Sequence, residues 1–299
     1  LCENLSEIKP GKEIILLENV RFYMEEKEGD IEFAKKLAEP FDYFIMDGFA
    51  VSHRPHASIR VGEILPAYAG YLMEKELSVF GNIDKLPRPS LLIIGGSKVS
   101  SKITLLENLI GNFDKIAIVG GMSHTFLKAL GCMNLNSENS CAEDNMLQKA
   151  LEILEKSVIP GKLERKIVLP TDVTIFDGSR IEVVPAGEVP EKGWEIMDAG
   201  PTTIEIIKEL CKRSASIVWN GPLGVFEVKP FDTATNAIAH CIADDVCVKA
   251  YCGGGDTARA IRDLGENVFK SFNYVSTGGG ALLEYWEGIE LPGVKILKW

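Results

Sequence analysis

The 299-residue sequence is 46% hydrophobic and 25% charged, the balance of an ordinary globular chain, and its length allows about two domains. A net charge of −11 excludes general affinity for nucleic acid or an anionic membrane, so any anion site has to be a local basic cluster. The seven cysteines are scattered and include no C-x-x-C pair, which disfavours zinc and a disulfide framework and suits free thiols in a reducing cytoplasm. No stretch reaches the roughly 18 apolar residues of a membrane span, and no signal peptide is visible. The chain opens on Leu1 rather than Met, which leaves room for a missing amino terminus.

Residues 1 to about 70 read as a partial α/β unit. Ile14 to Leu17 and Tyr43 to Met46 have the composition of strands, with a charged helix between them from about Ile31 to Leu37. Two strands are too few for a covered parallel sheet, so the segment either leans on a second domain or lacks its first strands. Arg21 follows the first strand, Asp47 closes the next, and His53-Arg54-Pro55-His56 lies in the loop beyond. Two arginines and two histidines after strand ends can hold a carboxylate or phosphate, arginine through its bidentate fork; as surface ion-pair partners and solvated loop they would do nothing of the kind. Tyr71 to Ile83 is amphipathic, and the stiff Lys85-Leu86-Pro87-Arg88-Pro89 behind it suits a connector, which places a domain boundary near residue 85.

Beyond the boundary, four aliphatic residues, Leu91 to Ile94, run into Gly95 and Gly96 and then into a helical pattern with Ile103, Leu106 and Ile110 on one face. At a strand, glycine turn and helix of this kind the backbone is approachable and the first N–H groups favour an anion. Lys98 and Lys102, four apart, are expected to share a helix face and add two cations, pointing to a polyphosphate; the bland alternative is a buried turn with two solvated lysines. The form repeats. Ile116 to Val119 lead into Gly120 and Gly121, Val248 to Cys252 into Gly253-Gly254-Gly255-Asp256, and Tyr274 to Ser276 into Thr277 and three glycines, while Ser216 to Trp219 end in Asn220-Gly221-Pro222. Strands alternating with helices imply a parallel sheet with all the glycine turns along its carboxyl edge, where such sheets bind ligands. An insertion from about Thr171 to Pro201 reads as short strands with turns.

No G-x-x-x-x-G-K-[ST] run occurs, so this is not a Walker-type site. Gly253 to Ala258 satisfies G-x-G-x-x-A and keeps a dinucleotide oxidoreductase open, but the next strand ends in Ser276-Thr277 instead of the acidic residue that would hold the ribose. Asp256 is a candidate Mg²⁺ partner beside phosphates, or a helix N-cap. Glu227 could accept ribose hydroxyls while Leu223, Val225 and Phe226 line a slot for a base; the bland version is a surface loop. Neither His124 nor His240 has a nucleophile beside it in sequence, so a triad is unsupported.

The runs LLENVRFY, DGFAVSHRPH, LMEKEL, IGGSKVSSKI, GGM, VWNGPLGVFE, GGGDTA and STGGGALLEYWEG, in this order, resemble those of the phosphoglycerate kinases and cover almost the whole chain. The resemblance implies an α/β fold of two Rossmann-like three-layer domains with parallel sheets, the first incomplete here, closing on a hinge. It divides the chain into residues 1–70 of the phosphoglycerate-binding domain, a hinge helix and linker at 71–85, a nucleotide-binding domain at 86–290 and a returning tail at 291–299. It implies reversible phosphoryl transfer between 1,3-bisphosphoglycerate and ADP, giving 3-phosphoglycerate and ATP with Mg²⁺, by a cytoplasmic monomer. Lys98, Gly255 and Gly280 would serve the transfer. Gly96, Ser97, Lys102, Gly120, Gly121, Gly200, Gly221, Leu223, Phe226, Glu227, Gly254, Asp256 and Thr257 would surround the nucleotide, Asp256 also meeting the metal. Arg21, His53 and Arg54 would hold phosphoglycerate.

Departures from the family pattern are Ser101 in place of a metal-contacting aspartate, the altered loop Asp47 to Arg54, and Ala234 in place of a glycine. The V-D-x-N-V-P and S-H-x-G-R-P segments, which carry most phosphoglycerate ligands in the family, do not occur in the sequence. The expectation is therefore a chain that binds adenine nucleotide and turns over poorly by itself; the competing reading is a non-catalytic nucleotide-binding protein of this fold.

Overall fold

The computed structural model describes residues 14–81, 83–132, 140–162, 164–190, 192–276 and 278–298. Contacts divide the chain into two compact units, Leu1–Asn82 with Gly280–Trp299, and Ile83–Gly279. Cys2 and Thr277 lie outside the described residues.

In the first unit, α1 (Met24–Glu28) and α2 (Ile31–Ala38) precede β1 (Phe44–Met46), α3 (Ala57–Ile64), β2 (Ala67–Ala69) and α4 (Tyr71–Phe80). The side chain of Asp30 starts α2 by accepting from Phe33 N at 2.6 Å, and Phe33, Ala34 and Leu37 then pack on Ala57 and Val61 of α3. β1 and β2 pair in parallel, Ile45 opposite Tyr68. The strand expected at Ile14 to Leu17 is reduced to a single bridged residue, Leu17, packed against the cluster of Phe33 and Val61, while Ile14 and Leu16 are exposed.

The second unit is built on a parallel sheet of six strands. Its elements in chain order are β3 (Ser90–Ile94), α5 (Ile103–Leu109), β4 (Lys115–Ile118), α6 (Met122–Ala129), α7 (Leu147–Lys156), β5 (Ile167–Val168), β6 (Asp172–Phe176), β7 (Ile181–Pro185), β8 (Glu195–Ala199), α8 (Pro201–Lys212), β9 (Ser216–Asn220), α9 (Thr233–Ala243), β10 (Lys249–Gly253), α10 (Gly255–Asp263), α11 (Glu266–Ser271) and β11 (Tyr274–Val275). The strand order is β11-β10-β9-β3-β4-β5. Every residue of β3 is buried, because helices cover both faces of a parallel sheet. After β3 the chain steps outward one way through β4 to β5, and after β9 the other way through β10 to β11, so the order reverses between β3 and β9. At such a reversal the helices part and leave a crevice at the carboxyl ends of the strands. The insertion forms an antiparallel sheet, β7-β6-β8, over its own cluster of Val173, Ile175 and Leu127.

After β11 the chain returns to the first unit with α12 (Gly280–Trp286) and α13 (Pro292–Lys295). There Trp286 meets Phe80 edge-on at 5.2 Å and Tyr285 meets Phe49 at 6.3 Å, so residues 280–290, placed in the second domain from sequence, pack with the first.

Candidate functional site

At the reversal the turns after β3 and β9 lie against each other. Gly95 N donates to Asn220 O at 2.9 Å, and a Cβ on Gly221, whose φ is +102°, would strike the carbonyl of Gly95. Only glycine fits a positive φ at this contact. Lys102 does not join Lys98 on a helix face. The chain from Lys98 to Lys102 turns before α5 begins at Ile103, with Ser101 Oγ donating to Lys98 O at 2.8 Å; Val99 is buried and Lys98 is exposed. Lys102 instead runs inward. Its Nζ donates to Gly95 O at 2.6 Å and to Asn220 Oδ1 at 2.6 Å, and burial pushes its ammonium down to about 8 although Asp256 pulls the other way. That inward turn also shifts the buried face of α5 to Leu105, Leu106 and Leu109 instead of Ile103 and Ile110.

Beside these turns lies a cavity of about 240 Å³, entirely within the second unit. Its floor is Gly96, Ser97, Gly120 and Gly121; one wall is Val173 and Ile196 of the antiparallel sheet, and the other is the loop Pro222 to Glu227, with Asp256 at the end. The loop is fixed by backbone donation from Leu223 N to Thr235 Oγ1 at 3.0 Å and from Val225 N to Met197 O at 2.8 Å. Phe226 lies 6.0 Å beneath the Arg259 guanidinium. Gly96, Ser97, Gly120, Gly121, Leu223, Phe226, Glu227 and Asp256 therefore share one cavity, while Lys98, Lys102, Gly200, Gly221, Gly254, Gly255 and Thr257 do not line it. Several of these others build its frame. Thr257 Oγ1 accepts from Gly221 N at 2.7 Å, and Gly200 leaves room for the Asp172 carboxylate, which accepts from Thr203 N at 2.7 Å. Gly254 holds φ +95° at the head of α10, and Gly255 opens that helix with nothing near a notional Cβ.

Asp256 sits in the first turn of α10, whose N-cap is Gly254, so it is not the cap. It is exposed and enters no ion pair among the described residues, and no cluster of three metal-ligating side chains occurs among them. One open carboxylate at the end of the cavity fits Mg²⁺ held largely by a bound ligand's oxygens, and fits a protein-caged metal badly.

Four further residues shape the site. Asp198, buried at the cavity wall, accepts from Ala199 N and Ala234 N at 2.9 Å each; burial outweighs those bonds and pushes its carboxyl up to about 7. Glu143 clamps the turn after β3, accepting from Ser100 N at 2.8 Å and Ser100 Oγ at 2.6 Å, while its own N donates to Thr125 Oγ1 at 3.0 Å. His124 and Cys141 line the cavity side by side, Cys141 N donating to His124 Nδ1 at 3.2 Å.

In the first unit Arg21 stands in a 3₁₀ turn, Val20–Phe22, and His53, Arg54 and His56 in the loop before α3. Burial lowers the pKa of both histidines; a nearby carboxylate, Glu284 for His53 and Glu26 for His56, pulls each back up, and the charges of Arg21 and Arg54 lower both, so the four basic groups lie within reach of one another's charge. His53 Nδ1 is buried without a partner among the described residues, and its Nε2 lies close to Gly280, 3.5 Å from where a Cβ on that glycine would sit. Glu26 underlies His56 at 3.7 Å and is held by Ser58.

The sequence model described as phosphoglycerate kinase matches residues 2–289. The chain belongs to the phosphoglycerate kinase family. A phosphoglycerate kinase of Citrifermentans bemidjiense is 42% identical over 98% of this chain and 73% of its own length, and that of Rubrobacter xylanophilus is 42% identical over 98% and 72%. Among solved structures, the phosphoglycerate kinase of Coxiella burnetii superposes with a TM-score of 0.82 at 37% identity, covering 94% of this chain and 72% of that one, and the enzyme of Pyrococcus horikoshii with 0.78 at 28%. The protein is thus a kinase of the class whose phosphoryl acceptor is a carboxyl group. Within the phosphoglycerate kinase fold, sequence reasoning missed Glu143, Asp198 and Cys141 and weighed His124 only as a triad member. The available signal for His124 was its place in the first turn of the helix after Gly120-Gly121, at the carboxyl edge of the sheet.

Proposed function

We propose that the second unit binds MgADP and MgATP in the cavity at the β3–β9 reversal, and that the basic loop of the first unit binds 3-phosphoglycerate and 1,3-bisphosphoglycerate. The observation that carries the nucleotide assignment is the convergence of an apolar slot, the glycine turns and Asp256 at the reversal point of the parallel sheet. Leu223, Val225 and Phe226 supply apolar surface for a base, Glu227 an acceptor for ribose hydroxyls, and Gly96, Gly120 and Gly121 allow close approach of the chain. Asp256 would hold Mg²⁺, which when bound neutralises phosphate charge.

An acyl phosphate donor and a diphosphate acceptor are both ionised near neutral pH, so the reaction asks for positioning and charge neutralisation instead of a general base. Exposed Lys98 is the mobile cation suited to follow the migrating group, and buried Lys102 the fixed one. Arg21, His53 and Arg54 match a carboxylate and a phosphate by charge. The free cysteines among the described residues support a reducing cytoplasm, no described helix is long and apolar enough to cross a membrane, and the family resemblance supports a monomer.

Calorimetric titration tests the assignment. MgADP binding that Asp256→Ala and Leu223→Trp each weaken at least about tenfold, with 3-phosphoglycerate binding untouched by both, is the expected result. MgADP binding indifferent to both substitutions would refute it.

A further inference from the structure

His124 is 4% exposed, yet it lines the cavity. Its Nδ1 is already an acceptor, taking the Cys141 backbone N–H at 3.2 Å. A neutral imidazole carries one donor and one acceptor, so accepting at Nδ1 puts the proton on Nε2. Burial pushes the ring down to about 4, which keeps it neutral at physiological pH. Nε2 has no hydrogen-bond partner among the described residues, and the ring that carries it lines the cavity. The cavity lining also holds Ser123, whose hydroxyl proton goes to Gly120 O at 2.7 Å, and the apolar Val173 and Leu223. A single oriented donor on a mostly apolar wall fixes how a ligand sits.

We propose that His124 is a specificity-determining residue of the nucleotide cavity, its Nε2–H donating to a ring nitrogen of the purine base. The inference rests on the nucleotide reading above and deepens it. A base that offers an acceptor at this point satisfies the donor; one that carries C–H there leaves the donor buried and unpaired, a loss worth about five- to tenfold in affinity.

The test is calorimetric titration of the full chain with Mg²⁺ and ADP or its 1-deaza, 3-deaza and 7-deaza analogues, each of which replaces one ring acceptor by C–H. Wild type is expected to bind one of the three about five- to tenfold more weakly than ADP. His124→Asn keeps an acceptor near Nδ1 for the Cys141 N–H and removes the donor at Nε2, so in it the penalty should shrink to less than about twofold. His124→Gln restores an N–H near Nε2 and should restore the penalty. Equal affinity of wild type for ADP and all three analogues overturns the inference without any variant, as does a penalty of the same size in His124→Asn. If Leu223→Trp, which fills the cavity, leaves MgADP binding unchanged, the nucleotide reading falls and this inference with it; normal sensitivity to Leu223→Trp with no analogue penalty removes the inference alone.

Discussion

Lys102 holds an ammonium where the turns after β3 and β9 meet, and its protonation links pH to both stability and binding. Unfolded, it keeps its proton to about 10.5; folded, it gives it up near 8. Between those values the unfolded chain binds more protons, so stability rises with pH, and below 8 the full cost of the buried charge, about 3 kcal/mol, is present. Thermal melts of wild type and Lys102→Met from pH 7 to 10 should converge or cross through this window, and parallel curves would count against the buried ammonium. Phosphate favours the charged form, so wild-type MgADP affinity should fall by up to about tenfold per pH unit above 8, and Lys102→Met should bind more weakly with a flatter profile. Asp198 presents the opposite sign. Its carboxyl titrates near 7 folded against 3.8 unfolded, so the folded state binds more protons in between and stability falls as pH rises from 4 to 7. Through Ala234 and the neighbouring Thr235, Asp198 steadies Leu223. Asp198→Asn has one amide oxygen for two backbone donors, so it should raise the KM for ADP about three- to tenfold while changing kcat little; a fall in kcat at constant KM would contradict this role.

Between residue and molecule, the element on which the proposed phosphoryl-transfer site depends most is the turn from Gly95 to Lys102. Glu143 ties it to α6 through Ser100 and Thr125, and Lys98 hangs from the clamped backbone. Glu143→Ala frees that backbone and should cost roughly a hundredfold in kcat with a small change in the KM for ADP, since misplacing a catalytic group by about 1 Å costs that much. Ser100→Ala, which keeps the backbone half of the clamp, should cost less. Steady-state rates of the two variants decide the order. The same turn shows what sequence can and cannot carry. Leu91 to Ile94 announced a covered strand because four aliphatic residues without a polar break have few other homes, and the repeated glycine turns marked the carboxyl edge of a parallel sheet. Spacing alone put Lys98 and Lys102 on a helix; the helix starts later because Val99 is buried and Ser101 bonds back to Lys98. Asp198 and Glu143 were invisible for a different reason. Their partners, Ala234 and Ser100, are 36 and 43 residues away, and pairing at such range is made by topology.

At the scale of the molecule, each unit has its own core: Phe33, Leu37 and Val61 with their neighbours in the first, and Leu91, Ile93, Trp219 and Ile238 with theirs in the second. The first rests on a two-stranded sheet and the second on six strands. A core of few buried large side chains is held together less strongly than one with many, because stability grows with apolar area removed from water. Scanning calorimetry should therefore resolve two transitions, the earlier from the unit of Leu1–Asn82 with Gly280–Trp299. A ligand that binds only a folded unit stabilises that unit, by about 2.7 kcal/mol at one hundred times its Kd. Saturating MgADP should raise the later transition and leave the earlier one in place, and 3-phosphoglycerate should do the reverse. Tryptophan fluorescence assigns the transitions, since Trp194 and Trp219 belong to the second unit and Trp286 and Trp299 to the first; replacing both Trp286 and Trp299 by Phe leaves the second unit's signal alone. If MgADP moved the transition reported by Trp286 alone, the nucleotide site would belong to the first unit, and the division of substrates between the units would have to be reversed.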